Sequence, residues 1–321
     1  MNARYAERVA LLAAAGMSAA LGLAACNRGG PAADAKPRVA LVLKTLNNPF
    51  FIDMQRGAED AAKRLNVDLL VQAAERETDV EKQMQIIENL IQARVGALAV
   101  TPSGSREVVP AIGKANEAGI PVVVVDTRLD ERAAADAGVR TVGFVGSDNY
   151  RGGQIIGEYL VKASGGTARV AILEGIPGHD TGDQRIRGFR DAVKSASGVQ
   201  ILASQTANWE RDQGFTVFQN ILQANPGVDT VFACNDMMAL GAIEAIATAG
   251  KTGQIRVLGF DAVEDARKAI AAGTMAATVA QFPDEMGRVA VESAVKAMRG
   301  EPVPAETSVR IGLVTRETGP E

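Results

Sequence analysis

The sequence predicts an α/β protein built on two doubly wound parallel sheets. Three observations predict it. From Arg38 onward, short β-branched runs alternate with stretches whose apolar residues recur near every 3.6 positions. Several of the strand runs are continuously apolar, as strands buried on both faces of a parallel sheet should be. A length of 321 residues suits two domains at roughly 100–200 residues each. In order, the strands fall at 39–43, 68–71, 97–100, 121–125, 141–145, 169–173, 199–203, 230–233, 256–259 and 277–280. Helical patterns between them include 51–65, 80–94, 151–163 and 237–249. Strand and helix repeating with short links argue βαβ units. No internal repeat of fixed period is visible.

The first 37 residues read differently. Arg4 and Arg8 precede an uncharged run of Ala and Leu from Val9 to Ala25. That run is short for a membrane span, which needs about 20 apolar residues, and has the basic-then-apolar layout of a secretory signal. Leu23-Ala24-Ala25-Cys26 resembles a bacterial lipobox, so residues 1–25 are expected to be a lipoprotein signal peptide and Cys26 the lipidated residue. Residues 26–37, rich in Gly, Pro and Ala, read as a flexible tether. Lipidation of Cys26 would leave Cys234 as the one free thiol, a small buried residue rather than a nucleophile.

Composition excludes several classes of function. A net charge of −4 gives no electrostatic footprint for nucleic acid. One His and two Cys leave little for a Cys/His metal site or a Cys-His dyad, and no cofactor is expected. Gly250-Lys251-Thr252 is a poor phosphate loop, with Ala245 where a Gly is required and a helix before it instead of a strand. No dinucleotide fingerprint or nucleophile elbow is present. An enzyme is not expected.

Ligands of open parallel sheets bind beyond the carboxyl ends of the strands. The first strand leads to Lys44 and then Asn48-Pro49-Phe50-Phe51, the fourth to Asp126-Thr127-Arg128. Later strands lead to Cys234-Asn235-Asp236, to Asp261 and to Gln281. Asn48, Asn235, Asp236 and Asp261 could each serve only as helix caps, with Pro49 at the first helical position, and capping does not exclude ligand contact. Their convergence from two sheets points to a cleft. Carboxylates and amides can each grip two neighbouring hydroxyls of a polyhydroxylated ligand, while Phe50, Phe51 and the single Trp, Trp209, could cover the apolar faces of its ring. Those rings could alternatively belong to the core; the polar neighbours Asn208 and Glu210 favour the cleft for Trp209.

Residues 45–51 (TLNNPFF), 147–149 (SDN), 235–241 (NDMMALG), 259–261 (GFD) and 280–281 (AQ) together resemble the ribose-binding branch of the periplasmic sugar-binding proteins, in register from about Arg38 to Thr315. The resemblance implies two Rossmann-like lobes, 38–147 plus 282–310 and 148–281 plus 311–316, with 317–321 a tail. Three segments would cross between them, near Ser147–Asp148, Gln281–Phe282 and Arg310–Ile311. It implies a ring held between Phe50 and Phe51 on one side and Trp209 on the other, with hydrogen bonds from Asn48, Asp126, Arg185, Asn235, Asp261 and Gln281. Arg187 and Arg190 read as a solvated helical face and His179 as a surface loop residue. Lys44 departs from the small Ser of ribose binders, Thr127 from an Arg, with Arg128 following it, and Thr101 from an Asn. Lys44, Thr127 and Arg128 therefore join the candidate site, and the choice among a pentose, a hexose and a cyclic polyol such as inositol stays open.

The implied role is a lipid-anchored receptor, exported and monomeric, that delivers a monosaccharide to an ABC permease. The alternative readout is a chemoreceptor or sensor kinase. A sugar-responsive repressor shares this core but needs a helix-turn-helix where the signal stands.

Overall fold

The computed structural model describes residues 36–318, so the expected signal peptide and Cys26 lie outside the described residues. The described chain forms strands β1 (Arg38–Thr45), β2 (Asp68–Ala74), β3 (Ala97–Val100), β4 (Val122–Val125), β5 (Gly143–Ser147), β6 (Thr167–Glu174), β7 (Gly198–Thr206), β8 (Thr230–Ala233), β9 (Arg256–Asp261), β10 (Ala277–Ala280), β11 (Glu306–Val309) and β12 (Gly312–Thr315). The helices are α1 (Pro49–Leu65), α2 (Val80–Gln92), α3 (Val109–Glu117), α4 (Glu131–Asp136), α5 (Asn149–Ala163), α6 (Asp180–Val193), α7 (Arg211–Ala224), α8 (Asp236–Thr248), α9 (Glu264–Ala272) and α10 (Pro283–Met298). No helix among the described residues is long and apolar enough to cross a membrane.

Two six-stranded sheets result, ordered β11-β5-β4-β3-β1-β2 and β12-β10-β9-β8-β6-β7. The first five strands of each half repeat one order, so each sheet reverses its winding between its first and third strands, where a crevice opens beyond the strand ends. The pairings are parallel apart from β12, which runs antiparallel to β10 with Ala277 opposite Thr315. The chain passes between the sheets from β5 to α5, from β10 to α10 and from β11 to β12. The strand runs read from sequence are all present. The fifth runs over 143–147, two residues later than its apolar run, and β11 and β12 are additional edge strands.

Burial follows the apolar pattern. Continuous runs such as Val39–Leu43 and Val122–Val125 are wholly buried, with helices on both faces of the first sheet. The second sheet has its own core, in which Phe189 stacks on Phe232 at 4.6 Å between ring centroids.

Close helix pairing places the helices that carry the site. A Cβ at Gly153 of α5 would land on the Arg185 carbonyl of α6, and one at Gly188 on the Tyr150 carbonyl. Gly57 and Gly287 do the same for α1 and α10. Gly153→Val should therefore wedge α5 from α6, losing roughly 1–3 kcal/mol by overpacking. Calorimetry should record a lower melting temperature, with weaker ligand binding because the wedge falls at Arg185.

Candidate functional site

The ends of β1, β2 and β4 face those of β8, β9 and β10 across a small cavity. On the first-sheet side, β1 delivers Lys44 into a buried position, its Nζ 3.4 Å from Asp126 Oδ2 and 3.8 Å from Glu77 Oε2. Asn48 caps α1, its Oδ1 accepting from Phe50 N at 3.1 Å, and its Nδ2 donates to Glu77 Oε1 at 3.2 Å. Capping and cleft lining thus coincide in one residue. The cap and Pro49 at the first turn fix where Phe50 and Phe51 lie, edge to face with centroids 5.2 Å apart.

On the second-sheet side Arg185 is the hub. Its Nε donates to Asn149 Oδ1 at 2.8 Å and its Nη1 to the Cys234 carbonyl at 2.7 Å, with Asp261 Oδ1 3.6 Å away. The guanidinium also lies 3.8 Å from the centroid of Phe260. Gln281 Nε2 donates to Asp261 Oδ1 at 2.7 Å, which leaves Gln281 Oε1 buried without a partner among the protein groups. Asn235 caps α8 through Met238 N and donates to the Trp209 carbonyl. The Trp209 ring packs over Gly175 and Gly182, so it belongs to the core and to the cavity wall at once.

Asp126 and Asp261 end β4 and β9, which hold the same place in their sheets. Both sit at positive φ, 63° and 118°, as does Trp209 at 68°. Such backbone outliers cost of order 1–3 kcal/mol each and cluster at functional sites. Burial pushes the Asp261 carboxyl up to about 7 against the pull of Arg185, and pushes Glu77 up to about 7 against the pull of Lys44. Asp236 is raised too, by burial and then by Asp261; it does not face the cavity but ties Val263 N and Thr278 Oγ1 to the start of α8. Burial pushes the Cys234 thiol up to about 12, so it is inert as a nucleophile.

Of the twelve ligand-site candidates, the structure gathers Lys44, Asn48, Phe50, Phe51, Asp126, Arg185, Trp209, Asn235, Asp261 and Gln281 around this cavity. Thr127 lies one step behind, its Oγ1 donating to Asp126 Oδ2 at 3.0 Å. Arg128 is not brought there. The left-handed turn at Asp126 sends Thr127 inward and Arg128 outward, where it pairs with Glu306 at 2.6 Å and stacks on Phe144. Two lining residues escaped the sequence reading, Glu77 and Thr181. Glu77 follows β2 and was findable by the strand-end rule. His179 is not a surface residue: it is 2% exposed, and Trp209 Nε1 donates to its Nδ1 at 3.3 Å.

The two sides also meet around the cavity. Asp180 N donates to Ser105 Oγ at 3.2 Å, and Arg76 lies 3.6 Å from both Glu210 and Asp212. Among the described residues, no group of His, Cys, Asp or Glu is placed to hold a metal ion. The walls carry three carboxylates, Glu77, Asp126 and Asp261, against the two cations Lys44 and Arg185. That balance disfavours burying an anion, since an unpaired buried charge is expensive.

Twin α/β lobes closed over a small, polar, aromatic-walled cavity define a protein that encloses one small solute between its halves. The chain belongs to the periplasmic binding protein family, whose domain matches residues 39–302. It is 39% identical over 283 residues to the ribose import binding protein RbsB of Escherichia coli, covering 88% of this chain and 92% of that one. It is 37% identical over 277 residues to the D-allose-binding periplasmic protein of the same organism, covering 86% and 89%. Among solved structures it resembles an ABC transporter periplasmic solute binding protein from Actinobacillus succinogenes with bound D-allose. That match has a TM-score of 0.83 and 42% identity, over 88% of this chain and 98% of the other.

Proposed function

We propose that the protein is the exported solute receptor of an ABC sugar importer and that it captures a neutral monosaccharide in the cavity between its lobes. One observation carries this most directly. Donors and acceptors from both sheets converge on a space too small for an oligosaccharide, and one buried acceptor there, Gln281 Oε1, is left for a ligand hydroxyl. Phe50, Phe51 and Trp209 would cover the apolar faces of the ring, Asp126 and Asp261 would accept its hydroxyls, and Asn48, Arg185, Asn235 and Lys44 would donate or bridge. The lobes would be 38–147 plus 282–310 and 148–281 plus 311–316, rotating about the three crossing segments. Sugar bridging both walls would stabilise the closed form by the contacts made only there. No catalytic step is involved.

Import binding proteins among the relatives favour delivery to a permease over presentation to a chemoreceptor or sensor kinase. Lipidation at Cys26, with 26–37 as a tether, would keep the receptor at the membrane. Ribose and D-allose are the first sugars to test, in view of the relatives' ligands.

Thermal unfolding of protein stripped of bound ligand tests the reading, with ribose, allose, arabinose, glucose, galactose and myo-inositol against ribose 5-phosphate as an anionic control. A ligand at 1,000 times its dissociation constant should add about 4 kcal/mol to the folded state. At least one neutral sugar should raise the midpoint and the phosphate should not. A shift with the phosphate alone, or with nothing in the panel, overturns the assignment.

A further inference from the structure

The chain contains a single His and a single Trp, and the fold brings them into direct contact at the rim of the cavity. His179 precedes α6, the helix that carries Arg185, in the loop after β6. Its Nδ1 accepts the indole N–H of Trp209, with the rings tilted 32° apart and their centroids 6.5 Å apart. An imidazole can accept at Nδ1 only when that nitrogen carries no proton, so the bond selects the neutral ring with its proton on Nε2. From the first-sheet side the backbone of Ser103 faces the ring in a way that favours a proton, that is, as an acceptor. The next residue, Asp180, makes the cross-lobe bond to Ser105. His179 therefore stands at the junction where one lobe covers the other.

We propose that His179 is a positioning residue that fixes the Trp209 wall and locks the closed lobes only in its neutral form, so that its protonation in acid works against ligand capture. This rests on the cavity being the ligand site. Protonation would replace the Nδ1 acceptor by a donor facing the donor of Trp209, and would bury a cation beside Lys44. Burial, and after it Lys44, pushes the His179 pKa down to about 3 in the closed form. Opening the lobes would expose the ring and return it to its ordinary value, about 6.5. Acid would then favour the open form.

The groups facing His179 sharpen the expectation. Lys44 from β1 repels its cation and is itself shared between Glu77 and Asp126. Glu77 and Asp261 titrate in the opposite sense, because burial raises both to about 7 and rising pH favours the open, hydrated site. Their effect is spread below about pH 7, the same window in which His179 titrates, so the share of His179 is read as the difference between wild type and a variant that lacks the imidazole.

Calorimetric titration of D-allose and D-ribose from pH 5 to 8 reads the effect. Below about pH 6.5 the wild-type affinity should fall relative to that of His179→Gln by up to roughly tenfold per pH unit, the slope for uptake of one proton on opening. His179→Gln keeps a side-chain acceptor for Trp209 without titrating, so the ratio of the two affinities should be level above about pH 7 and change only below it. A ratio that stays level from pH 5 to 8 overturns the proposal. A second measurement needs neither a variant nor a known sugar. Trp209 fluorescence of the ligand-free wild type should show one titration near pH 6–6.5, and a pH-independent signal there overturns the proposal as well. Should no sugar bind at all while this titration is seen, the ligand assignment fails and the His179–Trp209 coupling stands.

Discussion

Arg185→Met should abolish solute capture and strip about 3–5 kcal/mol from the ligand-free fold, the loss expected when one partner of a buried ion pair is removed. The guanidinium holds Asn149, the Cys234 carbonyl and Asp261 at once, and it is itself buried. Without it Asp261 has only Gln281 as a direct polar partner. Burial already raises the Asp261 carboxyl to about 7, and Arg185 is the main influence holding it lower, so the variant should raise it further. The sign follows from linkage. A carboxyl whose folded pKa exceeds its unfolded one binds protons more readily in the folded state, and its stabilising effect is lost as pH rises through the folded value. The gap in melting temperature between wild type and Arg185→Met should widen from pH 5 to pH 8. Adding Asp261→Asn removes the orphaned charge and should restore much of the stability while leaving capture abolished. A single variant that melts like wild type at pH 8 would show that the pair does not hold this lobe together.

The strands that could be read from sequence are those whose burial is symmetrical. Val122–Val125 and Ala97–Val100 are apolar on both faces because helices cover both, and a continuous run signals that without ambiguity. β11 and β12 gave no such signal. Each is four residues long at a sheet edge, and Glu306 and Thr307 carry the polarity of an exposed strand. The site was legible to the extent that it obeys one rule, polar side chains just past a strand end. Lys44, Asp126, Asn235, Asp261 and Gln281 all follow it. Glu77 follows it as well, past β2, but the run Glu75-Arg76-Glu77-Thr78-Asp79 reads as a solvated charged loop. His179 misleads for a different reason. Its neighbours Gly178 and Asp180 look like surface, yet the ring is buried against Trp209, beside the place where Asp180 meets Ser105 of the other side. Periodicity encodes how a helix meets its own sheet. It carries no information about what a second lobe lays across a loop.

Lys44 is where those two kinds of information meet, and its removal is the other change expected to have a large effect. By sequence it is a cation where the resemblance to ribose binders implies a small Ser; in the fold it is the shared partner of Glu77 and Asp126. Lys44→Met should lose about 3–5 kcal/mol, because two carboxylates stay buried without their cation. Burial, opposed chiefly by Lys44, sets Glu77 at about 7, so the variant should raise that value further and suffer most above neutral pH, by the sign argument used for Asp261. Glu77→Gln should be far milder. It keeps an acceptor for Asn48 Nδ2 and leaves Lys44 paired with Asp126 at 3.4 Å. Urea unfolding of the two single variants and of Lys44→Met/Glu77→Gln at pH 8 separates the contributions. Partial recovery in the double variant, limited by Asp126, is the expected pattern. Equal losses from Lys44→Met and Glu77→Gln would instead mean that Asp126 has no hold on Lys44, and that the cation is fixed by Glu77 alone.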